Sequence, residues 1–247
     1  MFPLRDDNPT HIKPVVTFLI IALNVLVWVF IQGMGSEPAL SRSVCALGLI
    51  PGELLGRIRP GTAIAMGGDV PCVIGESSWL TLLSSMFMHG SWFHLIGNMW
   101  FLWVFGNNVE DALGHVRYLV FYLLCGVAAA AAQMLTNPSS PLPMVGASGA
   151  IGGVMGAYAV RYPHARVLTG VLLGFYFRTI WVPAWFMLGY WFLIQFLAGL
   201  PSLGSEEGGV AFWAHIGGFV AGVVLLYLLG GARRGELHYD RARLGTR

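Results

Sequence analysis

Met144-Val-Gly-Ala-Ser-Gly-Ala-Ile-Gly-Gly-Val-Met-Gly-Ala-Tyr158 is apolar apart from Ser148 and carries Gly146, Gly149, Gly152, Gly153 and Gly156. A helix this rich in glycine is a poor choice in water, where each glycine costs about 1 kcal/mol against alanine. In a bilayer the same glycines let neighbouring helix backbones come close. Ser148 follows the proline-rich turn 138–143, so it stands where a helix begins. A helix start leaves N–H groups unpaired and carries the positive end of the dipole, which suits a developing oxyanion. The chemistry of this stretch depends on whether the rest of the chain supplies a base for that serine.

The surrounding composition is that of a chain whose solvent is lipid. Of 247 residues, 56% are hydrophobic and 11% charged, with mean hydropathy +0.68. Soluble domains carry roughly 25% charged residues. A net charge of +2 is too small to point to nucleic acid, and three cysteines do not make a disulfide scaffold. The apolar run after residue 14 has no small-residue cleavage site behind it, so it is expected to be an anchor rather than a removable signal.

A membrane span needs about 20 apolar residues. Six segments are expected to cross: 15–31, 92–105 with His94 and Asn98 inside it, 118–135, 148–158, 181–200 and 210–229. Residues 33–90 form a long connection, in which Trp79, Leu82, Leu83, Met86 and Phe87 recur at helical spacing. That pattern fits an amphipathic helix on the membrane surface or on the bundle, and equally a core helix of a loop domain. The run 167–177, fenced by Arg166 and Arg178, is too short to cross and is expected to be a loop. The fold expected is therefore an all-α polytopic membrane protein. Its parts are a segment 1–14, a six-helix membrane domain 15–230 with outer loop 33–90, and a basic tail 231–247. Eleven Lys and Arg residues fall on the side of both termini and only Arg42, Arg57 and Arg59 on the other, so both termini are expected in the cytoplasm.

From Ser148 to Tyr162 a helix rises about 22 Å, against a hydrocarbon core of about 30 Å. Ser148 then lies below the outer surface, and the irregular backbone before it must line a wet cavity. His215 opens the last span from the same outer side, followed at one and two turns by Gly218 and Gly222. That smooth face can approach the serine helix closely enough for a serine–imidazole hydrogen bond. The plainer alternative is a packing serine and an unrelated interfacial histidine. His94 and Asn98, four apart on one helix face, can donate hydrogen bonds to an oxyanion beside the Ser148 N–H. They can equally be interhelical hydrogen bonds that hold the bundle. A metal site built on His89, His94 and His215 finds no carboxylate in a span and no His-Glu-x-x-His pattern. Neither a metal nor a cofactor is expected. No Asp or Glu occurs between Asp111 and Glu206, and Glu206 and Glu207 are loop residues, so the expectation is a Ser–His dyad without an orienting carboxylate.

Gly146-Ala-Ser148-Gly149, Ala214-His215 with Gly218 and Gly222, His94 with Asn98, and Gly106-x-x-x-Glu110-x-x-x-Gly114-x-x-Arg117 together resemble the rhomboid family of intramembrane serine proteases. The resemblance runs from about residue 78 to 230. It implies a six-helix fold, Ser148 as nucleophile and His215 as general base and then acid. It also implies an oxyanion hole from His94, Asn98 and the Ser148 N–H, and helix packing around the site by Gly146, Gly149, Gly152, Gly218 and Gly222. The loop 200–210 would cap the site, and Trp191 and Phe192 would form a substrate gate. Implied partners are single-span transmembrane proteins, cut near the outer interface of a plasma or inner membrane. Two departures stand out: no Trp-Arg pair occurs in the first loop, and the position four beyond Ser148, aromatic in some relatives, is Gly152. The histidine ring must then be oriented from elsewhere.

The rival class is a non-proteolytic rhomboid-like protein that binds membrane clients. A transporter would call for internal repeats or charged intramembrane residues. Cys45 and Cys72 share the outer loop and can pair in an oxidising compartment, or remain two buried thiols.

Overall fold

The computed structural model describes residues 1–66, 70–76, 78–174, 176–203 and 210–231. Its helices are α1 (Val15–Phe30), α2 (Ala39–Leu47), α3 (Pro51–Leu54), α4 (Thr81–Ser84), α5 (Trp92–Leu113), α6 (His115–Thr136), α7 (Ser148–Arg161), α8 (Ala184–Gly199) and α9 (Phe212–Leu228). Five strands accompany them: β1 (Phe2–Asp6), β2 (Ala63–Ile64), β3 (Cys72–Val73), β4 (Arg166–Leu173) and β5 (Tyr176–Pro183). Helix α6, and α8 continued through a turn to Ser202, are long and apolar enough to cross a membrane. Helices α1 and α9 are apolar but shorter. The acidic part of the last loop, 204–209, and the basic tail 232–247 lie outside the described residues.

Helix α7 is the axis of the molecule. Every residue from Gly149 to Tyr158 is buried, enclosed by α5, α6, α8 and α9. Its tightest neighbour is α9. A Cβ on Gly218 would collide with the Gly149 carbonyl, and one on Gly222 with the Gly153 carbonyl. A Cβ on Gly156 would strike the Phe219 carbonyl. The two backbones therefore touch, as small residues at a membrane helix interface allow.

The Gly106–Arg117 motif ties together the start of α1, the α5–α6 turn and the end of α9. Buried Glu110 accepts the N–H groups of Val16 and Thr17 at 2.9 and 2.8 Å, and the Thr17 hydroxyl at 2.7 Å. A carboxylate there satisfies the unpaired donors at the start of α1 and sits at the positive end of its dipole. His115 Nδ1 lies 2.6 Å from Glu110 Oε1, the oxygen that also accepts the Val16 N–H. Gly114, with φ of +76°, turns the chain between α5 and α6. Arg117 reaches the Leu229 carbonyl at the end of α9.

The chain is mostly helical, but it is not all-α. The run 167–177, expected as a loop, overlaps the antiparallel strands β4 and β5, and β1 adds to them in the order β1-β4-β5. Length alone had ruled out a crossing, yet the Val, Leu, Thr, Ile and Trp residues here suit strands, and Gly174 takes the positive φ of the turn. One sheet face, with Asp6, Val167, Thr169 and Val182, is turned inward, where Asp6 accepts the Tyr158 hydroxyl at 2.5 Å. On the other face the Arg5 and Arg166 guanidinium groups lie over the Trp181 ring. Phe2 packs on Trp100 and Phe101 of α5, and Trp100 Nε1–H donates to the Pro3 carbonyl.

The helix expected across residues 79–87 is instead α4 followed by a tighter turn, 85–87. The Ser84 hydroxyl donates to the Leu47 carbonyl, and the Ser85 carbonyl accepts the Gly146 N–H. Those two bonds draw the polar side inward, so Ser85 and Met86 are both buried while Trp79 and Leu83 face out. In the connection 33–90 Cys45 and Cys72 are joined, linking α2 to β3.

Candidate active site

Helix α5 opens on Ser91, whose Oγ accepts the His94 N–H at 3.1 Å. This N-cap fixes the first turn and with it His94; Asn98 follows one turn later on the same face. Gly146 lies ahead of α7 with φ of +130°, and a Cβ there would meet His94 Nε2 at 2.7 Å. Grouped by sequence with the helix-packing glycines, Gly146 instead makes room for the His94 ring beside the start of α7. Gly149, Gly152, Gly218 and Gly222 do line helix contacts.

Across the α7–α9 contact, Ser148 Oγ lies 2.8 Å from His215 Nε2. Both side chains sit in the first turn of their helices, and the glycine seam below them sets the separation. On its far side His215 meets α8. The Trp191 ring lies 5.8 Å away, tilted 34°, and Gln195 Oε1 is 2.7 Å from His215 Nδ1. These two side chains, not Gly152, orient the imidazole. Phe192 packs on Phe219 of α9 at 4.8 Å.

Asn98 Nδ2 is 3.0 Å from His89 Nε2. His89 is fully buried and exchanges two hydrogen bonds with Gln32: its N–H donates to Oε1, and its carbonyl accepts from Nε2. Burial first, and nearby His94 second, push its pKa down to about 3. A neutral His89 ring accepts one Asn98 amide hydrogen and leaves the second for another acceptor.

Ser148, His215, His94, Asn98 and Trp191 all open on one cavity of about 700 Å³, with Gln133 and Asn137 adding polar groups to its wall. That volume is large enough for a stretch of peptide together with water. Among the described residues, no cluster of three or more His, Cys, Asp or Glu side chains is placed to hold a metal ion.

A family model described as the Rhomboid domain matches residues 76–232, more than half of the chain. The chain belongs to the rhomboid family. Rhomboid protease GluP of Bacillus subtilis is 31% identical over 145 residues, which are 59% of this chain and 24% of that protein. Rhomboid protein 1, mitochondrial, of Saccharomyces cerevisiae is 29% identical over 156 residues, 60% of this chain and 41% of that one. Putative rhomboid protease YdcA of Bacillus subtilis is 28% identical over 172 residues, 69% and 74% of the two chains. The match thus spans less than half of the first and second of these relatives. Membership of this family, with relatives named as proteases, supports a membrane-embedded hydrolase.

Two residues at the site were not singled out as site members from sequence. Gln195 is the only strongly polar residue between Trp181 and Gly199, and a lone amide in an apolar span is a signal that could have found it. His89 was weighed only as a metal ligand; its spacing of nine from Asn98 crosses a turn and a cap, so no helical periodicity connects them.

Proposed function

We propose that this rhomboid is a serine endopeptidase that cleaves single-span membrane proteins within the bilayer, near its outer face. The observation that carries the reading is the 2.8 Å approach of Ser148 Oγ to His215 Nε2 at the edge of a cavity lined by both polar and apolar side chains. In the reaction, the Ser148 hydroxyl gives its proton to His215 Nε2 as Oγ attacks the scissile carbonyl carbon. The negative charge that forms on the carbonyl oxygen is met by donors from His94, Asn98 and the Ser148 N–H. His94 Nδ1 already accepts the Gly90 N–H in a long contact of 3.4 Å, which leaves Nε2 as the protonated nitrogen beside Gly146. His89 holds the Asn98 amide in place. The His215 proton then passes to the departing amine, and a water molecule, activated by the same nitrogen, releases the acyl group from Ser148.

A membrane helix hides its carbonyls in hydrogen bonds, so substrate must unwind before attack. Trp191 lines the cavity and Phe192 packs on Phe219 beside it, so these two α8 residues would form the entry gate, with loop 200–210, of which 204–209 lie outside the described residues, as its cap. In this reading α1, α5, α6, α7, α8 and α9 are six spans of a domain over residues 15–230. Residues 1–14 and the tail 231–247 then lie in the cytoplasm, and the sheet β1-β4-β5 lies on that side. The polar, partly unwound backbone from Asn137 to Ala147 opens outward, and the membrane is the plasma membrane.

The test is cleavage of a single-span substrate in liposomes by wild type, Ser148→Ala and His215→Ala. Cleavage by wild type alone, with all three folded, is the expected result. A folded wild type that cuts none of several substrates would favour a client-binding role instead.

A further inference from the structure

A neutral imidazole carries one N–H. For His215 to take the Ser148 proton at Nε2, its own proton must reside on Nδ1, and a buried Nδ1–H needs an acceptor. In soluble serine hydrolases a carboxylate fills that place. Here, among the described residues, no carboxylate hydrogen-bonds to the His215 ring. The atom that does face Nδ1 is Gln195 Oε1, at 2.7 Å. Its neighbour one turn back, Trp191, covers the imidazole face, so both restraints come from a single stripe of α8.

The alternative is that Gln195 is a polar passenger on a lipid-facing helix. Its surroundings speak against that: Phe192, Leu193, Ile194, Phe196 and Leu197 flank it, and a lone amide among them is costly without a partner. Its partner is the ring nitrogen opposite the nucleophile. An amide also suits this depth better than a carboxylate, because it orients the ring through a dipole and places no permanent charge in the bilayer. Turned the other way, with the amide NH₂ toward Nδ1, it would force the proton onto Nε2 and leave Ser148 without a base.

We propose that Gln195 is a positioning residue that holds His215 in the Nδ1–H tautomer, so that the site works as a Ser148–His215–Gln195 relay with an uncharged third member. This rests on the reading of Ser148 and His215 as nucleophile and base. Because Gln195 lies on α8 rather than on the α7–α9 seam, the relay is complete only while α8 rests against α9.

The experiment combines ¹⁵N NMR of histidine-labelled protein in nanodiscs, with His215 assigned from its loss in His215→Asn, and single-span substrate kinetics. Wild type is expected to show His215 protonated at Nδ1. Gln195→Leu, similar in size but unable to accept, should populate the Nε2–H tautomer and lower kcat by about 10- to 100-fold with KM unchanged. Gln195→Glu, which keeps the acceptor, should retain the Nδ1–H tautomer and a higher kcat than Gln195→Leu. A wild type protonated at Nε2, or a Gln195→Leu protein with unchanged tautomer and kcat within twofold of wild type, would overturn the proposal. The failure of the underlying reading looks different: cleavage would then survive Ser148→Ala, whatever the state of the His215 ring.

Discussion

Helix α9 touches two partners in two different ways. Against α7, Gly218 and Gly222 meet the Gly149 and Gly153 carbonyls while the His215 and Phe219 carbonyls meet Gly152 and Gly156, so backbone meets backbone. Against α8 it presents Phe219 and His215 to Trp191, Phe192 and Gln195, so side chains make the contact, and Trp213 Nε1–H donates to the Gly199 carbonyl. Much of α8 faces outward, with Trp185, Tyr190, Leu193 and Leu197 all exposed. The seam allows no adjustment without collision, so it can hold Ser148 and His215 to a fixed separation. The ring contacts can slide or part. The proposed function needs both: a rigid pair for the chemistry, and a wall that can admit a helix.

The contrast predicts how each side responds to change. Gly222→Leu forces a side chain into the Gly153 carbonyl. It should lower stability by about 3 kcal/mol or more and reduce cleavage below a tenth of wild type, read by thermal unfolding and substrate turnover. Phe192→Ala on α8 should cost only about 1 to 2 kcal/mol, because its ring is half-exposed, and should leave the phosphonylation rate of Ser148 within about threefold. Leu193→Ala, on the lipid side of α8, should change stability by no more than about 0.5 kcal/mol. Should Phe192→Ala prove as damaging as Gly222→Leu, the two faces of α9 would be equivalent and the contrast would fail.

A smaller effect belongs to the inner sheet, away from both faces. Burial raises the Asp6 pKa from 3.8 to about 6, although the Tyr158 hydroxyl opposes the shift. The folded state therefore binds the proton more tightly than the unfolded chain. This contribution to stability is full below about pH 4 and is lost as pH rises through about 6. Asp6→Asn should flatten the unfolding profile between those limits, as denaturation at several pH values would reveal. A slope unchanged by the substitution would remove Asp6 as its source.

Much of this arrangement was legible in the chain because lipid leaves few choices. A serine at the head of a glycine helix, a histidine heading another glycine face, and His94 and Asn98 on one turn are costly inside a membrane unless they work together. The Gly106–Arg117 motif was legible as a pattern but not as a device, since the target of Glu110, the start of α1, is more than 90 residues away. The β4–β5 hairpin is hidden in the chain because its apolar run is merely too short to span a bilayer, and its pairing with β1 is a long-range event. Gln195 escaped for a similar reason. Its value lies in one contact between two helices, and no spacing within α8 announces it.

The central claim is that Ser148 is a nucleophile made reactive by His215. Its most direct test is phosphonylation of the folded, membrane-reconstituted protein by a fluorophosphonate, read by intact mass and peptide mapping. One adduct on Ser148, abolished in Ser148→Ala and strongly slowed in His215→Ala, is the result this account predicts. A folded wild type left unmodified, or an adduct that forms at the same rate without His215, would contradict it.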